Sequence, residues 1–200
     1  MGTLILVRHG ESLANRGRIF AEDHTPLSDL GRKQALEVAG HLMARFHPRG
    51  LVSSPLVRAR QTAEIIGQTL GLAVEIVPGL EEADFGFLKG QSYEVYHRHI
   101  LTDPTFDRHA IWRWAPQGGE STEQAGRRVL PVLERLAQRF PTQEILVVCH
   151  GMLMVAIWAL LHGKWGEFDV PPNCAVLTIE HAGTRLRPPV LVEACLVDQA

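Results

Sequence analysis

Two apolar runs in this chain end alike. Val7-Arg8-His9-Gly10 closes the first, and Val148-Cys149-His150-Gly151 closes a later one. An arginine or imidazole is costly to bury without a partner, so two greasy segments that each deliver such a group ask for an anion. A third segment, "SSPLVRARQTAE", places Arg58 and Arg60 in the first turns of a predicted helix, where backbone N–H groups also favour anions. The guanidinium fork grips phosphate oxygens in pairs. Imidazole, with a reference pKa of about 6.5, offers a lone pair near neutrality. Singly, each residue has a plainer use: a strand-end histidine is commonly a structural hydrogen-bonder, and a helix arginine is commonly solvated. Jointly they describe a site for a phosphoryl group. The glycine after each histidine permits a tight turn and close approach of a ligand to the backbone.

A scaffold must bring these residues together. Residues 4–7 form a continuous apolar run, as in a strand covered on both faces. A helix is predicted from about Asp29 to Phe46, capped by Ser28 or Thr25, with Leu30, Ala35, Val38, Ala39, Leu42 and Phe46 near a 3.6-residue period. Residues 50–54 read as a second strand, 57–70 as a helix ended by Gly71, and 74–77 as a third strand. Residues 88–118 read as irregular, rich in His, Arg and aromatics, and as a cap over the pocket. Ser121 or Thr122 opens a helix running to about Phe140 despite Pro131; 144–149 is a fourth strand and 152–161 a helix apolar all round. Residues 175–180 and 190–197 read as late strands with Gly183 in the turn between them. Alternating strands and helices predict one domain over residues 1–200, a three-layer α/β/α sandwich with a largely parallel central sheet. Ligands of open α/β sheets bind beyond the carboxyl ends of the strands, so His9 and His150 share one crevice if their strands are neighbours.

Composition removes several alternatives. A formal net charge of −2 lacks the basic excess of a nucleic-acid surface. Cys149, Cys174 and Cys195 are widely spaced with no CxxC pair, which argues for a reducing compartment and against a zinc knot or redox motif. The longest apolar run, 152–161, is about half of the roughly 20 residues needed to span a bilayer. No targeting segment is visible, and a cytoplasmic protein is expected. His97 and His99 are two apart but there is no HExxH; they read as exposed loop histidines or substrate-facing cations, with no metal. Cys149 has Val155 where a cysteine-dependent phosphatase carries arginine, and no GxxxxGK[ST] loop exists.

"LVRHGES" with Asn15, "PLSDLGRKQA", "SSPLVRARQTAE", "LEEADFGFLKG", "GGES" and "VVCHG" follow one another in the order found in the histidine phosphatase superfamily, the phosphoglycerate-mutase-like proteins, which this chain resembles over about residues 4–151. The resemblance implies that His9 is the nucleophile that becomes phosphohistidine. It implies that Arg8, Arg58 and His150 contact the phosphoryl group, that Asn15 and Gly151 help bind it, and that Glu82 protonates the leaving oxygen and then deprotonates the attacking water. Arg60 would be peripheral, Glu81 a surface residue, and Gly119, Glu120 and Ser121 a supporting loop. For attack, His9 must donate from its other ring nitrogen, for example to a backbone carbonyl.

The implied activity is a metal-independent phosphomonoesterase without cofactor, acting on small organic phosphates, with neither nucleic acid nor membrane as partner. The alternatives are a cofactor-dependent phosphoglycerate mutase and a non-catalytic phospho-ligand binder. "EADFG" stands where mutases carry "ERHYG", and "RHAIWRW" at 108–114 lacks the mutase Arg-Arg pair. All five catalytic positions are filled, which disfavours a binder. The chain departs from relatives at "RGRIFAEDHTPLS", so the wall near Arg18–Asp23 differs, and Glu22 or Asp23 there would disfavour highly anionic substrates such as bisphosphates. His97, Arg98, His99, Arg108, His109 and Arg113, mixed with Trp112 and Trp114, predict a partly apolar or acidic leaving group, one of the two tryptophans being a core anchor. The apolar late strands either form a homodimer edge or merely finish the sheet.

Overall fold

The first strand shows how the layers arise. In β1 (Gly2–Arg8) successive side chains point to opposite faces. Leu4 and Leu6 enter one core cluster while Ile5 and Val7 enter another. Burying each such side chain contributes about 1.5–3 kcal/mol, so the continuous apolar run demands cover on both faces. In the computed structural model, which describes residues 1–192, that cover comes from two helix pairs. α2 (Asp29–Arg45) packs against α3 (Val57–Leu70) on one face, and α5 (Thr122–Arg139) against α6 (Gly151–His162) on the other. The three-layer sandwich is thus observed.

The sheet order is β3-β2-β4-β1-β5-β6, from β2 (Gly50–Ser53), β3 (Val74–Ile76), β4 (Glu144–Cys149), β5 (Val176–Ala182) and β6 (Arg185–Leu186); β7 (Val190–Val192) also pairs with β5. The first four strands are parallel and β5 runs antiparallel to β1. β1 and β4 are neighbours in a register that sets Arg8 beside Cys149, so their carboxyl ends deliver His9 and His150 side by side.

Several boundaries differ from expectation. A five-residue helix α1 (Leu13–Gly17) follows β1, held by a capping box in which Ser12 and Asn15 bond reciprocally. Residues 88–118 are not irregular throughout. They contain α4 (Tyr93–Thr102), after a 3-10 turn at Gly86–Leu88 and before another at Ile111–Arg113. α4 is rich in aromatic and β-branched residues of modest helix propensity. It forms because Phe20 offers a ring against which Tyr93 and Tyr96 pack edge-on, at 4.9 and 5.7 Å between centroids. The turn after β5 returns through β6, and of the predicted strand 190–197 the first three residues are β7; the remainder lies outside the described residues. No helix among the described residues is long and apolar enough to cross a membrane.

Candidate active site

His9 leaves β1 3% exposed. Its Nδ1 lies 2.7 Å from the Gly10 carbonyl oxygen and its Nε2 3.2 Å from the Arg58 Nε. A carbonyl only accepts and a guanidinium only donates. The ring must therefore carry its proton on Nδ1 and its lone pair on Nε2. Burial, then the charges of Arg58 and Arg8, hold His9 well below the ordinary imidazole range, so the neutral form prevails at neutral pH.

Around that lone pair the other predicted residues converge. Arg58 is 2% exposed and also donates from Nη1 to the Glu22 carbonyl at 3.1 Å. Thr62, one turn on, accepts from the Gly10 N–H at 3.1 Å and donates to the Arg58 carbonyl at 2.8 Å, tying α3 to the loop after β1. Arg8 bonds the Pro171 carbonyl, while its buried Nε has no hydrogen-bond partner among the described residues. The His150 ring sits 5.2 Å from that of His9, centroid to centroid. Its Nε2 meets the Ser54 hydroxyl at 2.7 Å, and its buried Nδ1 has no partner among the described residues. Burial first, and Arg58 next, keep His150 neutral as well. Two largely buried guanidiniums, whose pKa values burial lowers, and two neutral imidazoles leave a pocket that an anion completes.

Glu82 reaches the same pocket from a loop. Its Oε2 accepts from the Met152 N–H at 3.1 Å, and its Oε1 from the Leu153 and Ala83 N–H groups, both at 3.0 Å. The carboxylate thus sits on the N-terminus of α6, whose unpaired N–H groups it satisfies. Arg128 of α5 braces the loop. It grips Glu120 with two bonds, Nε to Oε1 at 2.9 Å and Nη2 to Oε2 at 2.8 Å, and donates to the carbonyls of Gly79 at 2.9 Å and Glu82 at 3.2 Å. Glu120 also accepts from the Asp84 N–H at 3.2 Å.

The predicted members Arg8, His9, Arg58, Glu82, His150 and Gly151 are brought together. Asn15 lies nearby as the capping-box partner of Ser12, its Oδ1 3.4 Å from Asn173 Nδ2. Arg60 is peripheral, half-exposed and 4.0 Å from Glu64. Glu81 is not simply a surface residue: it is partly buried, accepts from the Gly79 N–H at 2.6 Å and lines the cavity. Neither tryptophan is a core anchor. Trp114 is half-buried and donates to Asp103 at 2.9 Å, and Trp112 stacks on Trp165 at 5.5 Å. Burial pushes the Cys149 thiol up to about 12. Sequence reasoning missed Ser54, Thr62, Arg128 and Asn173, whose side chain donates to the His9 carbonyl at 3.0 Å. Ser54 and Thr62 stood inside a motif already singled out; Arg128 and Asn173 carried no local signal.

Gly151 is required by clearance. A Cβ there would lie 3.0 Å from Arg8 Nε, 3.2 Å from its Cζ and 2.8 Å from a Val170 methyl. Gly151→Ala is expected to displace the Arg8 guanidinium and cut kcat/KM for phosphate esters by about tenfold or more. Steady-state kinetics checks this, with thermal melting to show that the fold survives.

Three buried histidines set a pH limit on stability. His9, His150 and His181 are all held below the ordinary value, burial being the largest cause each time. Below about pH 6.5 the unfolded chain binds protons that the folded chain refuses. Stability is therefore full above that pH and falls below it, by about 1.4 kcal/mol per pH unit for each histidine kept neutral. Urea midpoints at pH 7.5 and 5.5 should differ in that direction; equal midpoints would refute the burial argument.

Fold and site together define an α/β phosphoryl-transfer enzyme built round a neutral, buried imidazole. The histidine phosphatase superfamily (branch 1) matches residues 4–192, and the chain belongs to it. It is 34% identical over 173 residues to a glucosyl-3-phosphoglycerate phosphatase of Mycolicibacterium vanbaalenii, covering 80% of this chain and 74% of that protein. It is 32% identical to a metal-independent phosphoserine phosphatase of Arabidopsis thaliana, covering 78% and 66%. It is also 34% identical to a 2,3-bisphosphoglycerate-dependent phosphoglycerate mutase of Chelativorans sp., covering 83% and 84%. A solved mycobacterial glucosyl-3-phosphoglycerate phosphatase in complex with VO3 superposes with a TM-score of 0.80, at 29% identity, over 96% of this chain and 97% of that one.

Proposed function

We propose that this chain is a metal-independent phosphomonoesterase of small organic phosphates, working through phosphohistidine on His9. The observation that carries the reading is the His9 ring: buried, neutral, with its Nε2 lone pair facing the Arg58 guanidinium. An entering phosphoryl group offers Arg58 and Arg8 better acceptors, so Arg58 exchanges the imidazole for a phosphoryl oxygen and frees Nε2. Nε2 attacks phosphorus in line and the P–O ester bond breaks. The guanidiniums and His150 stabilise charge spread over the equatorial oxygens. Glu82 enters the cycle in its protonated form, gives that proton to the leaving alkoxide and takes one back from the water that cleaves the P–N bond, so that the acid is regenerated, neutral His9 returns and phosphate is released.

Hydrolysis is preferred over the mutase reaction because the phosphatase relatives are joined by a cavity unsuited to a second phosphate, as argued below. The protein acts as a single cytoplasmic domain on a small molecule, with α4 and its flanking turns as the cap and neither nucleic acid nor membrane as partner. Purified protein assayed on a panel of phosphate monoesters in EDTA should release inorganic phosphate at an undiminished rate. If bisphosphoglycerate-primed interconversion of 2- and 3-phosphoglycerate outran hydrolysis, the mutase would replace this reading.

A further inference from the structure

Next to His9 and its neighbours lies a cavity of about 360 Å³, lined by Arg58 and Glu82 and by Asp23, Asp84, Lys89 and Arg128 among others. It adjoins the site through Arg58 and Glu82, and its charges restrict what can occupy it. Apart from Arg58, its lining holds two cations. Lys89 Nζ is 3.2 Å from Asp23 Oδ1 and 3.1 Å from Asp84 Oδ1. Arg128 is spent on both oxygens of Glu120 and on backbone carbonyls. Against these stand Asp23, Glu81, Asp84 and Glu120, besides Glu82 itself.

An anionic substituent entering here would have to displace a carboxylate from one of these pairs or sit unpaired among carboxylates, and like charges this close cost binding. The histidines and arginines of the cap do not compensate. His97, Arg98, His99, Arg108, His109 and Arg113 are absent from the lining. His99 instead packs against Phe87 at 4.8 Å between centroids, and Arg113 lies 3.4 Å from Glu123.

We propose that the substrates are phosphate monoesters of uncharged, hydroxyl-rich or cationic alcohols, and that Lys89, locked between Asp23 and Asp84, excludes alcohols carrying a carboxylate or second phosphate. This rests on the phosphatase reading and narrows it. It replaces the acidic leaving group expected from the composition of residues 88–118. It also sets the chain apart from relatives named for phosphoglycerate and phosphoserine, both of which carry a carboxylate.

The test uses matched esters. sn-Glycerol 3-phosphate and 3-phosphoglycerate share a skeleton and differ in a hydroxymethyl against a carboxylate; phosphoethanolamine adds an ammonium. In wild type, kcat/KM for the first and third should exceed that for 3-phosphoglycerate by about tenfold or more. In the Asp23→Asn/Asp84→Asn protein, each rate referred to p-nitrophenyl phosphate, the gap should close as Lys89 is released. Equal or better use of 3-phosphoglycerate by wild type overturns the proposal, as does a gap unchanged in a folded double variant. Should that variant not fold, the wild-type ratio decides alone. Failure of wild type to hydrolyse even p-nitrophenyl phosphate sinks the phosphatase reading instead.

Discussion

His9→Ala is expected to lower phosphate-ester turnover by about four orders of magnitude or more, since it removes the atom that forms the covalent intermediate. The expectation is specific to this site. His150 is as buried and as neutral as His9, but its Nε2 is engaged with Ser54. His9 has its Nδ1 proton anchored on the Gly10 carbonyl and its Nε2 beside Arg58. Wild-type protein quenched during turnover should carry phosphate that is labile in acid and stable in base, located on His9. His9→Ala should carry none, while phosphate still raises its melting temperature because Arg8 and Arg58 remain. An alanine protein as active as wild type would remove the mechanism altogether.

Glu82→Gln is the second large effect, and it should depend on the leaving group. Glutamine keeps one oxygen, enough for one of the Met152 and Leu153 N–H groups that now meet the two different oxygens of Glu82, but it cannot pass a proton. Alkyl phosphates, which depart as poor alkoxides, should lose about 10²–10⁴-fold in kcat. p-Nitrophenyl phosphate, whose phenolate needs little protonation, should lose far less in the first step and show a burst of nitrophenol as the phosphoenzyme waits for water. Arg128→Gln should move the alkyl phosphates in the same direction by a smaller factor. It leaves Glu82 in place but removes the bonds from α5 to the Gly79 and Glu82 carbonyls. A uniform loss across all leaving groups in Glu82→Gln would assign the residue to binding rather than proton transfer.

The local parts of this architecture were legible in the chain. Residues 4–7 and 145–149 are apolar without interruption because both faces of β1 and β4 are covered. Ser28 and Ser121 mark helix starts because each satisfies a backbone N–H at the first turn. The helix over Tyr93–Thr102 was not legible, since its support is the Phe20 ring far away in sequence. Nor was it legible which cations of the 88–118 segment reach the cavity: Lys89 lines it, while the histidines and arginines of residues 97–113 do not.

By itself the sequence determined which residues are candidates for the chemistry, because residue type and motif order are one-dimensional facts: Arg8, His9, Arg58, Glu82 and His150 were all singled out there. Only the tertiary structure decided that they meet. That required β1 and β4 to pair in parallel with Arg8 opposite Cys149. It required the start of α6 to present N–H groups to Glu82 and Arg128 to hold the Glu82 loop from α5. Strand pairing, helix docking and the exclusion of water from His9 are contacts between distant segments. Their free energy belongs to the assembled core, and no local pattern records it.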